Sequence, residues 1–300
     1  MVSITGLAFF LGATILSFHE PVQGAEGELT SVQLLLLHPY VVKVTYAPLT
    51  PDGEPIKCTG AVYNKLWIIT SARCALPTIR MMAKTPTHEP GDINFGDEEP
   101  FKECKPTEVG RVRYAVEAHL PPEAKAALAK NESLDDFDIS MVKINKPFLY
   151  TKHLKAIRVP SAPKDCADTN EAYIMGFGAA GVTDSKAPRK LRKIRVKTEK
   201  EEESKKADST FSKDIRIVTK SVDKDNTCGS DLGAPLVHYV KINLKQAPVD
   251  IYHQFLCGVL RRTNCEDKGS GRPEDTEFFA RVPNWVKWIQ TTGGKQDKFD

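Results

Sequence analysis

Short apolar and β-branched runs, broken at close intervals by Gly, Pro, Asn and Asp, fill the chain from about Ser31 to Gln290. Tyr40–Tyr46 begins apolar and alternates toward its end, and Leu66–Thr70 reads as a buried strand. Further strand candidates are Val109–Val116, Ile139–Ile144, Ala172–Gly176, Ile215–Thr219, Leu236–Val240 and Phe255–Leu260. Many short strands without a βαβ rhythm predict an all-β barrel or sandwich. Two helices interrupt this pattern. Pro122–Lys130 is Ala-rich with Pro at its start, where a missing N–H costs nothing. Val282–Gln290 sets Trp285, Trp288 and Ile289 at i, i+3 and i+4, an apolar stripe expected to dock on the body. Residues 291–300 are polar and contain Gly, and are expected to form a flexible tail.

At the other end, Ile4–Phe18 is almost wholly apolar and is then broken by His19, Glu20 and Pro21. That run is short for a bilayer span, which needs about 20 apolar residues. Val22 and Gly24 give the small-residue pattern of a leader cleavage site, so residues 1–24 read as a signal peptide and 25–290 as the folded domain. The expectation is a secreted, extracellular protein with no membrane partner. Glu20 is the leader's only charged side chain, so its removal raises the formal net charge of +3 by one. So small a charge argues against nucleic acid as a partner.

One stretch departs from that balance. Lys186, Arg189, Lys190, Arg192, Lys193, Arg195 and Lys197 follow one another with no acid between them, and Glu199, Glu201, Glu202 and Glu203 come next. Two readings stand: a solvated surface hairpin whose two signs screen each other, or an anion-binding patch for sulfated glycans.

Seven cysteines lie at 58, 74, 104, 166, 228, 257 and 265. In an oxidising compartment they read as disulfides, and no C-x-x-C spacing suggests zinc. An odd count leaves one thiol free or bonded to another molecule. Asn131-Glu-Ser133 is an N-glycosylation sequon on a loop. Asp92, Asp97, Glu98, Glu99 and Glu103 form an acidic loop, read as solvated rather than as a calcium site. No metal and no cofactor is expected.

Three separated segments carry a family resemblance. Cys58-Thr-Gly-Ala-Val-Tyr-Asn-Lys-Leu-Trp-Ile-Ile-Thr-Ser-Ala-Arg-Cys74 resembles the strand pair of trypsin/chymotrypsin-type serine proteases that ends T-A-A-H-C. Asp136-Phe-Asp-Ile-Ser-Met-Val-Lys-Ile144 resembles their D-x-D-I-A-L-L-K-L, and Cys228-Gly-Ser-Asp-Leu-Gly-Ala-Pro-Leu236 their C-x-G-D-S-G-G-P-L. Gly176-Phe-Gly178 and Phe279-Ala-Arg-Val282 with Trp288-Ile289 are similar to further family marks, in family order. The resemblance implies two six-stranded antiparallel β-barrels with a cleft between them and a C-terminal helix. It also implies disulfides Cys58–Cys74 and Cys228–Cys265. Cys104–Cys166 is then a guess that leaves Cys257 as the odd thiol.

Acyl transfer in this family needs a hydroxyl nucleophile, an imidazole base and an orienting carboxylate. The positions the motifs assign to them hold Leu232, Arg73 and Asp138. Leucine has no nucleophile, and arginine keeps its proton at any accessible pH. Ser230 stands at an oxyanion-hole glycine position and Asn226 at the base of the specificity pocket. Arg261-Arg262-Thr263 replaces the strand S-W-G that pairs with substrate. Asp231 keeps the place of the acid that meets a new N-terminus on activation, yet no basic cleavage residue precedes Gly27-Glu-Leu-Thr30. Ser230 as an off-register nucleophile, or His238 or His253 as a relocated base, would be needed for an atypical endopeptidase.

The resemblance therefore implies a non-catalytic protease homologue. Its expected partners are extracellular proteins (proteases, inhibitors or immune components), with anionic glycan binding through Arg189, Lys190, Arg192, Lys193 and Arg195 as the alternative.

Overall fold

In the computed structural model the described residues are 31–46, 56–76, 91–94, 112–152, 154–161, 163–166, 172–178, 191–222, 227–228, 231–242, 251–262 and 276–297. Twelve antiparallel strands close into two barrels of six. The first holds β1 (Val41–Tyr46), β2 (Ile56–Asn64), β3 (Trp67–Thr70), β4 (Gly91–Asn94), β5 (Val112–His119) and β6 (Ser140–Ile144). Its order is β1-β2-β3-β6-β5-β4, closed by β4 against β1. The second holds β7 (Ala172–Gly176), β8 (Arg192–Thr198), β9 (Arg216–Ser221), β10 (Pro235–Ile242), β11 (Ile251–Arg262) and β12 (Thr276–Arg281). It runs β10-β11-β12-β9-β8-β7 and closes through β7 against β10.

Each barrel is filled by alternate residues of its strands, as period-two side chains require. Val42, Val44, Val62, Ile68, Val142 and Ile144 pack inside the first with Phe148. Ile174, Ile194, Val196, Ile217, Leu236 and Phe279 pack inside the second. A further cluster draws on both barrels, from Val41, Ile69 and Met141 to Met175, Val237 and Val259, and includes Trp285 and Ile289. Those last two belong to the expected C-terminal stripe, which forms a 3-10 turn at Val282–Trp285 and a helix at Val286–Gly293.

The flanking helices include α1 (Ser31–Leu37), α2 (Pro122–Ala129) and α3 (Glu201–Ala207); the C-terminal helix is α4. Proline occupies the start of α2, as its sequence suggests. By contrast β8 and α3 lie in the charge-rich stretch read as a possible hairpin. There Ile194 and Val196 are the only apolar residues of β8, so the strand has a short inward row and a basic outward one.

The tail corrects its sequence reading, because residues 291–297 are bonded to the first barrel. Gly294 ends α4 at a φ of 74°, a left-handed turn that glycine makes without strain. Beyond it the Tyr63 hydroxyl donates to the Gly294 carbonyl (2.7 Å), and Asn64 Nδ2 to that of Gly293 (2.8 Å). Gln296 Nε2 donates to the carbonyls of Tyr63 and Ile157, while Asp297 accepts from the Lys65 amide and the Tyr150 hydroxyl. Six such bonds on one short segment hold it down, whatever its polarity.

Of the described disulfides, one is as the resemblance implies and one corrects it. Cys58 joins Cys74. Cys166 joins Cys257, so neither the Cys104–Cys166 pairing nor a free Cys257 stands. Cys257 on β11 lies buried beside the 3-10 turn Pro163–Cys166, a proximity no local sequence pattern announces. Cys228 is disulfide-bonded as well, while Cys104 and Cys265 lie outside the described residues.

Candidate functional site

Strand β3 delivers the chain to Ser71 and a helical turn over 72–76, pinned to β2 by Cys58–Cys74. Asp138 lies beside it, two residues before β6, whose Ser140 pairs with Thr70 of β3, and is fully buried. Its Oδ1 accepts from the Ser71 hydroxyl (2.7 Å) and from the Arg73 amide (3.1 Å). Its Oδ2 makes no hydrogen bond and has Arg73 Nε at 3.7 Å. Burial pushes the Asp138 carboxyl above the ordinary range, against the opposing pull of the Arg73 charge and the Ser71 hydroxyl. Arg73 and Asp138 thus form an ion pair at 3.7 Å and not the hydrogen-bonded fork that arginine geometry allows.

The fork goes elsewhere. Arg73 Nη2 donates to the Asp135 carboxylate and Nη1 to the Arg261 carbonyl (3.0 Å). Arg262 Nη2 donates to the other Asp135 oxygen (2.7 Å), and Arg261 Nη1 to the Asp135 carbonyl (2.8 Å). Burial tends to raise the Asp135 carboxyl, but the charges of Arg261, Arg262 and Arg73 outweigh it and hold the group below its ordinary value.

The network continues inward. Arg261, 1% exposed, also donates to Asp208 Oδ2 (3.2 Å) with its guanidinium over the Phe278 ring. Arg216 donates to the same Asp208 oxygen (2.8 Å) and to Asp136. Burial, with the Arg216 charge beside it, brings Arg261 down to about 10, against Asp135 and Asp208. Four arginines and four aspartates therefore alternate between the barrels. Arg73, Asp135, Asp136 and Asp138 come from the first barrel and its loops. Arg216, Arg261 and Arg262 come from the second, and Asp208 from the end of α3. A buried charge is tolerated only when paired and hydrogen-bonded, and here most of these charges serve one another.

Leu232 follows Asp231 at the turn entering β10. Its carbonyl accepts from the Thr59 amide (2.8 Å), and its side chain packs on the first-barrel cluster containing Cys58 and Cys74. Gly233 has φ 84°, and a Cβ there would stand 2.2 Å from Thr70 Oγ1 and 2.4 Å from the Thr59 carbonyl oxygen, so only glycine fits between the barrels. Asp231 is 1% exposed and accepts from the Gly178 amide (2.6 Å) and the Cys228 amide (3.0 Å). Those amides answer the question its sequence position raises. Nearby, Glu277 of β12 is buried, and its carboxylate accepts from the Thr227 hydroxyl (2.6 Å) and amide (3.2 Å).

Asn226 and Ser230 lie outside the described residues, as do Arg189 and Lys190. Arg192, Lys193 and Arg195 lie on β8, away from this cluster. Asn131 is exposed on the turn after α2, at φ 56°. His238 and His253 sit on β10 and β11, whereas the partners of Asp138 are Ser71 and Arg73. Among the described residues no group of His, Cys, Asp or Glu could hold a metal ion. No described helix is long and apolar enough to cross a membrane.

Sequence reading does not find Asp135, Asp136, Asp208, Arg216 or Glu277. A signal existed for the first two: Asp136 opens the motif that holds Asp138, and Asp135 immediately precedes it. The others are long-range partners that only the closed barrels bring together.

Two closed antiparallel barrels, with Asp138, Gly233 and the Cys58–Cys74 loop meeting between them, define the chymotrypsin-like architecture. The trypsin family model matches residues 35–289, and the chain belongs to that family. It is 24% identical over 236 residues to the thrombin-like enzyme flavoxobin of Protobothrops flavoviridis, covering 78% of this chain and 76% of that protein. Human kallikrein-7 is 22% identical, with 80% and 79% covered. Among solved structures, the scabies mite inactivated protease paralogue S-I1 superposes with TM-score 0.61 at 19% identity, covering 91% of this chain and 99% of that one.

Proposed function

We propose that this chain is a secreted, non-catalytic member of the trypsin family that acts by binding extracellular proteins, whether proteases, their inhibitors or immune components. The observation that carries this reading is the Arg73–Asp135–Arg262 bridge. A protonated guanidinium stands at the base position and is hydrogen-bonded to both barrels, while the nucleophile position holds a leucine packed on the first-barrel core. Removing a triad serine or histidine alone costs about 10⁶ in turnover. The carbonyl of Arg261, on the strand that would pair with substrate, already accepts from Arg73. Glu277 and Thr227 are bonded to each other beside the position of the pocket base. The leader-like segment and the disulfides support an extracellular setting. The structural likeness to an inactivated protease paralogue agrees with this reading.

Restoring the nucleophile alone tests the reading. Leu232→Ser is expected to hydrolyse no peptide and to resist covalent serine-hydrolase probes, because Arg73 cannot take the proton. Turnover by this variant would place a base elsewhere and refute the role given to Arg73, whereas turnover by the parent chain would refute the proposal itself. Capture of a specific protein from the native fluid identifies the partner.

A further inference from the structure

The segment that joins α1 to β1 carries a buried histidine. His38 closes the last turn of α1, its amide donating to the Leu34 carbonyl (2.8 Å), and the residue is fully enclosed. Its Nδ1 lies 3.1 Å from both Gln254 Oε1 and the Tyr40 hydroxyl oxygen, and Tyr40 itself donates to Gln254 Oε1 (2.7 Å). Gln254 Nε2 in turn donates to the Leu37 carbonyl at the end of α1 (3.2 Å). Gln254 belongs to β11, and Tyr239, in T-shaped contact with the imidazole, belongs to β10. One ring thus clasps α1 and the entry to the first barrel against the second barrel.

The clasp suits a neutral ring alone. With Tyr40 committed to Gln254, the ring proton that completes the contact to Oε1 is assigned to Nδ1, and Nε2 keeps a lone pair. Nε2 is buried and has no hydrogen-bond partner. A second proton there would create an unmet donor on a buried cation. The charged and titratable groups that face the ring are Lys193 of β8, whose charge repels a cation, and Tyr40 and Tyr239, phenols that carry no charge in acid. Helix α1 brings no charged side chain of its own. Burial, with Lys193 beside it, lowers His38 from its ordinary 6.5 to about 3, against the weaker pull of Gln254.

We propose that His38 is an acid-operated latch, whose protonation releases α1 from the second barrel and bares the apolar surface that Leu34 covers. On release the imidazole meets water and takes a proton readily, so acid favours the released state by as much as the docked state refuses that proton. Docking is therefore full above the ordinary histidine value and weakens as pH falls from there toward the folded one. Leu34 is buried in the cluster that also holds Tyr40, Val237 and Leu256, so release uncovers contiguous apolar surface. None of these residues belongs to the arginine–aspartate network, and the inference stands apart from the reading of the cleft.

Hydrogen exchange of the full chain tests the latch, read as protection of the Leu37 and His38 amides after correction for the intrinsic pH dependence of exchange. Between pH 7.5 and about 4.5 that protection is expected to fall about a hundredfold, tenfold for each of the roughly two pH units below the ordinary histidine value, while amides of β3 and β10 keep theirs. His38→Asn retains an N–H for Gln254 and removes the basic nitrogen, so its loss over the same range should not exceed about twofold. His253→Asn, on the face of β11 opposite Gln254, should behave as the parent does. Gln254→Glu gives the protonated ring a carboxylate partner and should cut the loss to about tenfold or less. This second variant decides alone where His38→Asn leaves α1 unprotected at both pH values. Constant protection in the parent, an undiminished loss in His38→Asn or in Gln254→Glu, or a loss shared equally by β3 and β10 would each overturn the proposal.

Discussion

The guanidinium of Arg73 reaches Asp138 as a charge and Asp135 as a hydrogen-bond donor. Nε lies 3.7 Å from the buried Asp138 carboxylate, while the terminal nitrogens are bonded to Asp135 and to the Arg261 carbonyl. Ser71 and the Arg73 amide already occupy Asp138 Oδ1, and Asp135 offers a partly exposed carboxylate shared with Arg262. The bond that would orient an imidazole in an active relative is replaced by a bridge that ties the two barrels together.

That difference predicts opposite consequences for two similar substitutions. Asp135→Asn leaves three guanidinium groups around a neutral amide and is expected to cost about 2–3 kcal/mol at pH 7, by chemical denaturation. Asp138→Asn removes a charge that burial disfavours yet keeps a carbonyl oxygen for Ser71 and the Arg73 amide, and is expected to stay within about 1 kcal/mol of the parent. Their pH dependences also diverge. Asp135 lies below its ordinary 3.8 in the folded state, so its contribution is present above that pH and is lost as pH falls through the lower folded value. Asp138 lies above 3.8, so its contribution is full below that pH and declines as pH rises toward the folded value. Equal losses in both variants at pH 7 would contradict the assignment.

Gly178 is expected to tolerate no side chain. A Cβ there would stand 2.1 Å from Asp231 Oδ2 and 2.3 Å from the Cys228 carbonyl oxygen. Gly178→Ala must displace a buried carboxylate that accepts from the Gly178 amide itself, and a loss of about 2 kcal/mol or more is predicted. A melting temperature equal to that of the parent would show that Asp231 is not held there.

The C-terminal segment should behave as part of the first barrel. Gln296→Ala/Asp297→Ala removes the acceptors and donors that join the tail to Tyr63, Lys65, Tyr150 and Ile157. Stability should fall by about 1–3 kcal/mol, discounting for the exposed bond to Lys65. Hydrogen exchange at the Lys65 amide should quicken in parallel. An unchanged double variant would restore the flexible tail.

Asn131 is expected to carry an N-linked glycan, because the exposed turn after α2 presents the sequon. Chain secreted from eukaryotic cells should lose mass on treatment with an N-glycosidase, and Asn131→Gln should abolish that shift. A secreted chain with unmodified Asn131 would contradict it.

Much of the fold is legible in local sequence because its determinants are local. Alternation in Tyr40–Tyr46, the buried run ending at Thr70, and the Trp285, Trp288 and Ile289 stripe each announce an element the structure contains. Strand β8 escapes because only Ile194 and Val196 are apolar, and the outward bases dominate any average over the segment. The site divides in the same way. Arg73, Asp138 and Leu232 are readable because motifs fix their register. Asp208 and Arg216 are not readable, since their role depends on α3 and β9 meeting the end of β11. Cys166–Cys257, 91 residues apart, is hidden for the same reason.

The central claim is that the cleft performs no peptide hydrolysis, and the most direct measurement is turnover by the purified wild-type chain. Incubation with a diverse fluorogenic peptide library, alongside a covalent serine-hydrolase probe, is predicted to give cleavage no faster than buffer and no labelled band. Hydrolysis that co-purifies with the chain and is abolished by a serine-protease inhibitor would contradict the account.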